Sequence, residues 1–543
     1  MLKMEKTTNL LTLAIFLFLT LILTYPLVLH PTGLLEIKKE GFPTLEESDV
    51  LQNIFKIGWH KKAISEGTSL LFTNRNYYPE GLTPAQDNFN PSYSLVGAML
   101  SFFMPFYVAH NLLVAASIFL GGLGVYLLAR ETLKSESASL FSGTLYMCFP
   151  FAFYEASMGH SNIMQLQWIP LILLFTIRTL NNPDWRNTFF LGLFANLQFF
   201  SSTQITVYLV IMLGVFVLGQ CVHKRVRQTI NQKGVYCLFL RFSLVFLVLG
   251  SPYLYGFFST SAVNTRPLVI NRLDIFILNG FSELVDSDSQ LFVGWVSVLL
   301  FCAALAYDIK RKNKFMIPYY ILILAALLFA LGPFAPYAPY TILYYFYIPV
   351  RIYRVPMRIM PFALVGFAVV GGYCLTRIQK HVKFPHRIIT WAAIVLAFMS
   401  LVPFSPAFNS RNIVYPQNAP ELTIYNRLSD SKEEFAVAEY PLYFCCKCAY
   451  HSLFHQKNLV GGCAAYPPQE YLDFEETCGK QMLDIANPIC QKKIKDYGLR
   501  YVFFDSERYE NWEEIQKKEL KKENGWGFIE EKSGVNLYKI EEI

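Results

Sequence analysis

Three acidic side chains lie close together near the start of the chain, in the run Glu46-Glu47-Ser48-Asp49. A carboxylate placed near a membrane surface can act as a general base and remove the proton of an attacking hydroxyl group. The same carboxylates also suit the first turn of a helix, where the helix dipole favours negative charge. Spacing alone does not separate a catalytic role of Asp49 from this structural role.

Three arginines lie at helical spacing much further along the chain. Arg351, Arg354 and Arg358 stand at positions i, i+3 and i+7, so a single helix would place all three on one face. Guanidinium groups bind phosphate through paired hydrogen bonds and stabilise charge that develops on a leaving group. The spacing therefore predicts a phosphate-binding face. The alternative is that these side chains reach up to the phosphates of ordinary membrane lipids.

The elements that must position these residues are membrane-spanning helices. Of 543 residues, 53% are hydrophobic and only 16% are charged, whereas about 25% are charged in ordinary soluble domains. Uncharged apolar runs recur up to residue 404, and the first, Leu10 to Leu29, is long enough to cross a bilayer. A cleaved signal peptide is the alternative for that run, but no small-residue cleavage site follows it. The pattern predicts an α-helical polytopic membrane protein with about 11 spans.

Lysine and arginine indicate the side of the membrane on which each short loop lies. Basic clusters recur in alternate loops, for example from Lys310 to Lys314, whereas the loop 154–162 carries no basic residue except His160. The alternation predicts an integral protein of the cell membrane with a cytoplasmic N-terminus. It places five segments on the outer face: 30–91, 154–162, 258–288, 334–354 and 405–543. The net charge of +7 then records membrane topology, and no nucleic-acid partner is expected.

The first outer loop, residues 30–91, contains the acidic run and further candidate site residues. Apolar side chains at helical spacing among lysines predict a short amphipathic helix at 50–66 that lies on the membrane surface. Trp59 and His60 lie in this helix, and Asp87 follows later in the loop. We expect these three residues to contact the acceptor of the reaction. The next apolar stretch, 92–107, is broken by Pro105 and is not counted as a span.

The tail, residues 405–543, contains no run that could cross a bilayer. Its pattern predicts two strands, a polar helix and a closing hairpin, at Phe435–Ala438, Tyr501–Phe504, Tyr509–Glu523 and Gly527–Ile540. Such a mixture is typical of a small α/β or α+β domain. The chain is therefore expected to divide into a transmembrane domain, 1–404, and a soluble extracytoplasmic domain, 405–543.

Six of the 11 cysteines lie in the tail, at Cys445, Cys446, Cys448, Cys463, Cys478 and Cys490. An even number in an extracytoplasmic domain predicts up to three disulfides. A metal cluster is the alternative, because His451 and His455 follow the first three cysteines. Cys445 and Cys448 form one Cys-x₂-Cys pair, but no second cysteine pair of this spacing follows, so disulfides are favoured. The other five cysteines fall in or beside apolar runs and are expected to be buried side chains.

The order of these features resembles the GT-C class of polytopic membrane glycosyltransferases. More closely, it is similar to their poorly characterised prokaryotic branch with a C-terminal extracytoplasmic domain. The resemblance is carried by collinear segments that span most of the chain: Glu47-Ser48-Asp49 to Trp59-His60, Asn76–Gly81, Ala109–Leu112, Gly121–Arg130, Phe149-Pro150, Gly159–Asn162, Gln165–Leu171, Tyr353–Arg358 and Asp496–Val502.

The resemblance implies that a hexose or pentose is transferred from a polyprenyl-phosphate-linked donor to an acceptor hydroxyl at the outer face of the membrane. It implies inversion at the anomeric carbon, with Asp49 as the catalytic base. The acceptor would be a glycan, a lipid or a protein, and membrane lipids would surround the spans.

The outer loop 154–162 departs from the family pattern. Many relatives carry a second acidic motif there that often holds a metal ion, whereas this loop offers only Glu155 and His160 and no Asp-x-Asp pair. Dependence on Mg²⁺ or Mn²⁺ therefore stays open at this point, and no metal-binding residue is predicted. Glu155 is instead expected to orient the acceptor and His160 to contact the donor phosphate. The alternative is that both are simply polar residues at helix ends.

A lipid or glycan transporter, or a flippase without transferase activity, is the alternative function. Transporters usually carry charged or Gly/Pro-broken helices at the bilayer midplane, together with internal repeats. The predicted spans are nearly uncharged, and the charges collect in the outer loops. The sequence therefore favours a transferase.

Overall fold

Eleven stretches of the chain, some of them single residues, are described by the computed structural model: 6–40, 43–45, 48–83, 90–230, 234–261, 286, 289, 291–353, 355–442, 446–464 and 467–541. Five candidate residues of the sequence analysis lie outside the described residues: Glu46, Glu47, Asp87, Arg354 and Cys445. Most of the outer segment 258–288 lies outside them as well.

Helices dominate the described chain up to residue 401. They are α1 (Lys6–Leu23), α2 (Val50–Glu66), α3 (Pro91–Leu100), α4 (Phe106–Leu133), α5 (Glu136–Cys148), α6 (Phe151–Ser157), α7 (Ser161–Met164), α8 (Trp168–Asn181), α9 (Trp185–Ser201), α10 (Thr203–Gln220), α11 (Lys224–Ile230), α12 (Gly234–Ser261), α13 (Gly294–Arg311), α14 (Ile317–Ala330), α15 (Pro339–Phe346), α16 (Met360–His381) and α17 (His386–Leu401). Short 3₁₀ segments lie at Leu27–Leu29, Ile348–Ile352 and Pro356–Ile359. One short strand, β1 (Leu34–Ile37), follows α1.

Many of these helices are apolar. Among the described residues, four segments are long and apolar enough to cross a membrane: Phe106–Leu133, Ser161–Asn181, Thr203–Gln220 and Pro356–His381. Four shorter apolar helices accompany them, at Leu10–Leu23, Leu240–Tyr255, Ile317–Ala330 and His386–Leu401. The helical membrane class is present, and the total of about 11 spans stays a prediction. Helix α3 has 10 residues, too few to cross, and ends before Pro105.

Helix α16 lies at the centre of the helical core. In its apolar window 94% of the residues are buried inside the protein, and α5, α13 and α14 pack around it. At Gly372 the backbones of α16 and α5 approach so closely that a Cβ would overlap Ser142 Oγ. The helical core therefore depends on close backbone contact at this point.

The tail combines helices with a sheet. Its helices are α18 (Pro406–Asn409), α19 (Leu422–Asn426), α20 (Cys446–His455), α21 (Gln469–Cys478), α22 (Pro488–Tyr497) and α23 (Trp512–Lys518). Its strands are β2 (Arg411–Val414), β3 (Ala436–Tyr440), β4 (Asn458–Leu459), β5 (Leu499–Asp505), β6 (Trp526–Lys532) and β7 (Val535–Ile540). Three 3₁₀ segments lie at Pro416–Asn418, Ser506–Arg508 and Lys522–Asn524.

Five of these strands form one sheet, in the order β4-β3-β5-β7-β6. Strand β3 pairs in parallel with β4 and β5, and β7 pairs antiparallel with β5 and β6. The predicted strands and hairpin are present, and Ser533 and Gly534 both have positive φ, as a two-residue hairpin turn requires. The predicted polar helix is shorter than expected and covers only α23. Strand β2 pairs with β1, which joins the tail to the first outer loop.

Helix α2 has the predicted bounds but different surroundings from those predicted. Every residue from Val50 to His60 is buried. Helix α20 of the tail packs along one side, where Gly58 faces Leu453, and α3 packs along another, where Ile57 faces Gly97. The expected exposed polar face is therefore absent over these three turns, because the tail covers it.

Disulfides are present in the tail, which confirms the prediction. Cys446 is bonded to Cys463 and Cys478 to Cys490, and Cys448 is also disulfide-bonded. The histidines proposed as alternative metal ligands have other partners: His451 Nδ1 lies 3.0 Å from Glu439 Oε2, and Lys457 N–H donates to His455 Nδ1. In the apolar runs, Cys148 and Cys374 are buried free thiols, Cys221 is half-buried, and Cys302 lies on the surface of the apolar helix α13. The side chain of Cys237 lies outside the described residues.

The buried side chain of His455 should make the folding stability of the tail sensitive to acid. Burial lowers the pKa of His455 from 6.5 to about 3, and its Nδ1 accepts a hydrogen bond only while it is neutral. The unfolded chain binds a proton near pH 6.5 and the folded chain does not. The contribution of His455 to the free energy of unfolding is therefore fully present above pH 6.5 and falls as the pH drops towards 3. At pH 5 the free energy of unfolding should be lower by about 2 kcal/mol because of this group. Calorimetry should show a lower unfolding midpoint at pH 5 than at pH 7.

The matched variants for this prediction are His455→Gln and His386→Gln. Glutamine keeps an acceptor for Lys457 N–H but does not titrate, so His455→Gln should flatten the dependence of stability on pH. His386 is exposed, and its replacement should leave that dependence unchanged. If the unfolding midpoints of the wild type and of His455→Gln depended equally on pH, the prediction would be contradicted.

Candidate active site

Asp49 occupies the N-cap position of α2, but its carboxylate does not cap the helix. The side chain accepts no hydrogen bond from the first helical turn, and Ser48 Oγ lies 3.4 Å from Val50 N instead. The Asp49 side chain is 35% exposed. Of the two roles that the sequence left open, the capping role is not seen, and the carboxylate is accessible from solvent.

The loop that follows α6 fixes the backbone at Asp49. Asp49 N–H donates to Met158 O at 3.0 Å, and Asn53 Nδ2 donates to Gly159 O at 2.5 Å. Gly159 has a φ of +80°, and a Cβ on it would overlap Val50 N and the carbonyl carbon of Asp49. Only glycine satisfies both conditions. Two loops that are far apart in the sequence are therefore held together at Asp49.

His160 connects Asp49 with Glu155. Its Nδ1 lies 2.6 Å from Glu155 Oε2, and its Nε2 lies 4.0 Å from Asp49 Oδ2. The short contact places the Nδ1 proton on the Glu155 side, so Nε2 is the ring atom that faces Asp49. Glu155 is 1% exposed. Its burial raises the pKa of that carboxyl, but the charges of Arg358 and His160 outweigh burial and hold the pKa below its usual range.

Arg358 completes this cluster from the 3₁₀ segment Pro356–Ile359. Its Nη2 lies 3.8 Å from Glu155 Oε2 and 3.1 Å from His160 Nδ1, and its Nη1 donates to Gln204 Oε1 at 3.0 Å. Its Nε is buried and has no hydrogen-bond partner among the described residues. The guanidinium group thus keeps one donor that an oxygen of an anionic ligand would satisfy.

Arg351 and Arg358 do not share a helix face, unlike the prediction. They lie in two separate 3₁₀ segments, with non-helical backbone at Tyr353 and Val355 between them. Pro356 explains the break, because proline disfavours the helical conformation of the residue before it.

Arg351 is engaged with the backbone of α15. Its Nε donates to Tyr344 O at 2.6 Å and its Nη2 to Tyr345 O at 2.8 Å. Its guanidinium group lies over the Tyr344 ring, 5.1 Å from the centroid. These contacts hold the turn after α15. The phosphate-binding roles of Arg351 and of Arg354 stay predictions.

Trp59 and His60 lie about 15 Å from Asp49 along the axis of α2. Both are buried, and the two ring nitrogens of His60 lie 2.9 Å from Lys56 O and 3.2 Å from Leu70 O. Burial lowers the pKa of His60 to about 4. The structure does not bring these two residues to the cluster around Asp49.

The tail reaches Asp49 through the disulfide between Cys446 and Cys463. Cys446 Sγ lies 3.5 Å from Asp49 Oδ1. The two atoms are in contact but form no hydrogen bond, because the sulphur is bonded to Cys463 and carries no proton. Gln52 Nε2 donates to Cys463 O at 2.8 Å. Nothing in the sequence indicated this contact, because 397 positions separate Cys446 from Asp49. Gln204, which holds Arg358, was missed for the same reason.

Among the described residues, the side chains around Asp49 do not fit a divalent metal ion. In the described part of the chain, one group of three potential ligands is close enough together, and it consists of Asp49, Cys446 and Cys463. The two sulphurs are bonded to each other, whereas metals bind the thiolate form of cysteine. The Glu155 carboxylate already faces Arg358 and His160. No step of the reaction is therefore assigned to a metal ion.

Part of the chain matches a known protein family. Residues 95–255 match the family model described as dolichyl-phosphate-mannose-protein mannosyltransferase. No curated protein sequence matches the chain.

Solved glycosyltransferase structures share the fold over nearly the whole chain. ArnT from Cupriavidus metallidurans, bound to undecaprenyl phosphate, matches with a TM-score of 0.58 and 11% identity, over 99% of this chain and 98% of ArnT. The oligosaccharyltransferase from Archaeoglobus fulgidus matches with a TM-score of 0.54 and 12% identity, over 93% of this chain and 70% of its own. The mycobacterial arabinofuranosyltransferase AftD matches with a TM-score of 0.58 and 11% identity, over 99% of this chain but only 42% of AftD. The chain therefore has the fold of these glycosyltransferases, and its residues 95–255 match a mannosyltransferase family model.

Proposed function

We propose that the protein transfers a sugar from a polyprenyl-phosphate-linked donor to an acceptor hydroxyl, with Asp49 as the general base. The observation that carries the proposal is the uncapped, partly exposed Asp49 carboxylate beside Glu155, His160 and Arg358. Two similar structures support the donor class, since one contains undecaprenyl phosphate and another, an archaeal oligosaccharyltransferase, contains a dolichol-phosphate.

The proposed reaction is a single displacement. Asp49 Oδ2 accepts the proton of the acceptor hydroxyl while the hydroxyl oxygen bonds to the anomeric carbon of the sugar. The bond between that carbon and the phosphate oxygen breaks, and its electron pair leaves with the lipid phosphate. Attack from the opposite face inverts the anomeric configuration. Glu155 orients the His160 imidazole, so that its Nε2 faces Asp49 Oδ2 at 4.0 Å.

Arg358 serves the leaving group in this proposal. Its free Nε donor and its positive charge would meet phosphate oxygens as charge develops on them. Glu155 and Gln204 hold the guanidinium group in place, so little reorganisation is needed when the bond breaks. Glu155 thus acts through two neighbours, His160 and Arg358.

The reaction is placed on the outer face of the cell membrane, with the N-terminus in the cytoplasm. Segments of the first outer loop, the loop 154–162, the stretch around Arg358 and the tail all meet at Asp49, so they share one side. Disulfides in the tail support the extracytoplasmic side, because they persist in oxidising compartments. Residues 1–404 form the transmembrane domain in this proposal, and residues 405–543 form the soluble domain.

The role of Arg358 predicts a kinetic effect of a conservative change. Arg358→Lys keeps the charge but loses the paired hydrogen-bond donors of the guanidinium group. We therefore expect the KM for the lipid-linked sugar to rise and kcat to fall, with kcat/KM lowered about 10- to 100-fold. Release of polyprenyl phosphate from a synthetic donor measures both constants. Arg427→Lys is the control, because Arg427 pairs with Glu530 on the exposed surface of the tail, and we expect its kcat/KM to fall less than about 3-fold. Equal kinetics of both variants would contradict the assignment.

A further inference from the structure

A second cleft lies in the tail, apart from the cluster around Asp49. It opens at the carboxyl ends of the parallel strands β3 and β5, against the first turns of α20. We call it the tail cleft and define it by six of its lining residues: Glu439, Lys447, His451, Phe503, Asp505 and Arg508. Ligands of α/β proteins bind at this edge of the sheet, outside the carboxyl ends of the strands.

Glu439 gives the tail cleft an unsatisfied hydrogen-bond acceptor. Its side chain is 8% exposed, and its Oε2 accepts from Tyr425 OH at 3.2 Å and pairs with His451 Nδ1 at 3.0 Å. Its Oε1 is buried and has no partner in the described parts of the chain. Burial raises the pKa of this carboxyl, but the charge of His451 outweighs burial and lowers it, so the group stays ionised. A buried carboxylate oxygen without a donor is costly, and a ligand hydroxyl would remove that cost.

The other charges in the tail cleft decide the class of ligand. Asp505 Oδ2 lies 2.7 Å from Arg508 Nε, and Lys447 Nζ lies 3.5 Å from Glu421 Oε1. An anion would meet the carboxylates of Glu439 and Asp505, and a cation would meet Lys447 and Arg508. A neutral polyhydroxyl compound offers donors to the carboxylates and acceptors to the cations.

The tail cleft adjoins the Asp49 cluster through α20. Cys446 Sγ contacts Asp49 Oδ1, and Lys447, the next residue, lines the cleft. Cys448 lines the cleft as well and belongs to the same buried cluster as Val50, which follows Asp49 in α2. The tail cleft and the Asp49 cluster are therefore both bordered by helix α20.

We propose that the tail cleft binds a neutral sugar residue of the acceptor, and that the acceptor is a glycan. The proposal rests on the proposed function, because it assigns the acceptor of that reaction. Glu439 accepts a sugar hydroxyl, and Lys447 and Arg508 donate to sugar oxygens. The bound residue is not the reacting one. It holds the glycan while a hydroxyl further along lies at Asp49.

The test measures sugar binding by the full-length protein in detergent, without any donor. The probes are methyl α-mannopyranoside, methyl α-glucopyranoside and methyl β-galactopyranoside, with ethanolamine as the cationic probe and inorganic phosphate as the anionic one. Saturation-transfer difference NMR reads the three glycosides and ethanolamine, and equilibrium dialysis reads phosphate. We expect a saturable signal from at least one glycoside, reduced at least 5-fold in Glu439→Gln. Glu433→Gln is the matched control, since Glu433 is an exposed tail carboxylate that pairs with Arg500.

Three results would overturn the assignment of the cleft: no glycoside signal in the wild type, an unchanged signal in Glu439→Gln, or saturable binding of ethanolamine or phosphate alone. Arg508→Ala, at the partly exposed rim, is the second variant if Glu439→Gln unfolds, and it should reduce the signal similarly. Asp49→Asn should bind glycosides like the wild type. The two proposals fail separately: glycoside binding without any sugar transfer rejects the transferase, and sugar transfer with an unchanged KM for a glycan acceptor in Glu439→Gln rejects the cleft.

Discussion

Replacing Asp49 with asparagine is expected to lower the rate of sugar transfer by about 10²- to 10⁴-fold, the range that a general base contributes. The amide has nearly the shape of the carboxylate but does not accept a proton at neutral pH. Since the Asp49 side chain makes no capping bond, the variant should fold normally, with stability changed by less than about 0.5 kcal/mol. Binding of the donor should persist, because Arg358 is untouched.

The control for this variant is Asp184→Asn. Asp184 is also the N-cap of a helix, α9, but its side chain does accept from Asn187 N–H, at 2.7 Å. Asparagine caps helices about as well as aspartate, so this variant should keep both activity and stability. Release of polyprenyl phosphate gives the rate, and calorimetry gives the stability. An Asp49→Asn protein that retains more than about a tenth of the wild-type rate would rule out the base assignment.

Replacing Gly159 with alanine is expected to have the second large effect, on both folding and activity. The new Cβ would overlap the backbone of Asp49 and Val50, and the φ of +80° is unfavourable for alanine. Overpacking and backbone strain together should lower the free energy of unfolding by about 2–5 kcal/mol. Where the protein still folds, displacement of Asp49 by about 1 Å should slow transfer by about 10²-fold.

The control for Gly159 is Gly214, which lies inside α10. A Cβ on Gly214 would meet no atom within 4 Å. Gly214→Ala should therefore keep full activity and stabilise the protein by up to about 1 kcal/mol, since alanine favours a helix interior. Calorimetry in detergent and the transfer assay compare the two variants. A Gly159→Ala protein with wild-type stability and rate would show that the loop does not position Asp49.

Several parts of this site could be predicted from the sequence because they depend on local signals. The bounds of α2 follow from its apolar spacing, and the closing hairpin follows from Ser533 and Gly534. Glu155, His160 and Arg358 were identified one by one as polar groups on the predicted outer side. Their mutual contacts were not predicted, because they depend on how three separate segments pack.

Other parts could not be predicted from local patterns. The tail helix α20 covers α2 and places the Cys446–Cys463 disulfide against Asp49, and no local signal connects positions nearly 400 residues apart. The helical spacing of Arg351 and Arg358 was misleading, although Pro356 between them indicated a break. The covered polar face of α2 shows that an amphipathic pattern does not say which surface packs on it.

The most direct test of the central claim follows one sugar from donor to product. The purified protein is incubated with a panel of polyprenyl-phosphate sugars and a hydroxyl-bearing glycan acceptor. Mass spectrometry then measures the release of polyprenyl phosphate, and NMR determines the anomeric configuration of the product. The account predicts one glycosylated acceptor for each polyprenyl phosphate released, with the anomeric configuration inverted. Retention of configuration, or movement of the lipid across vesicle membranes without any glycosylated product, would contradict it.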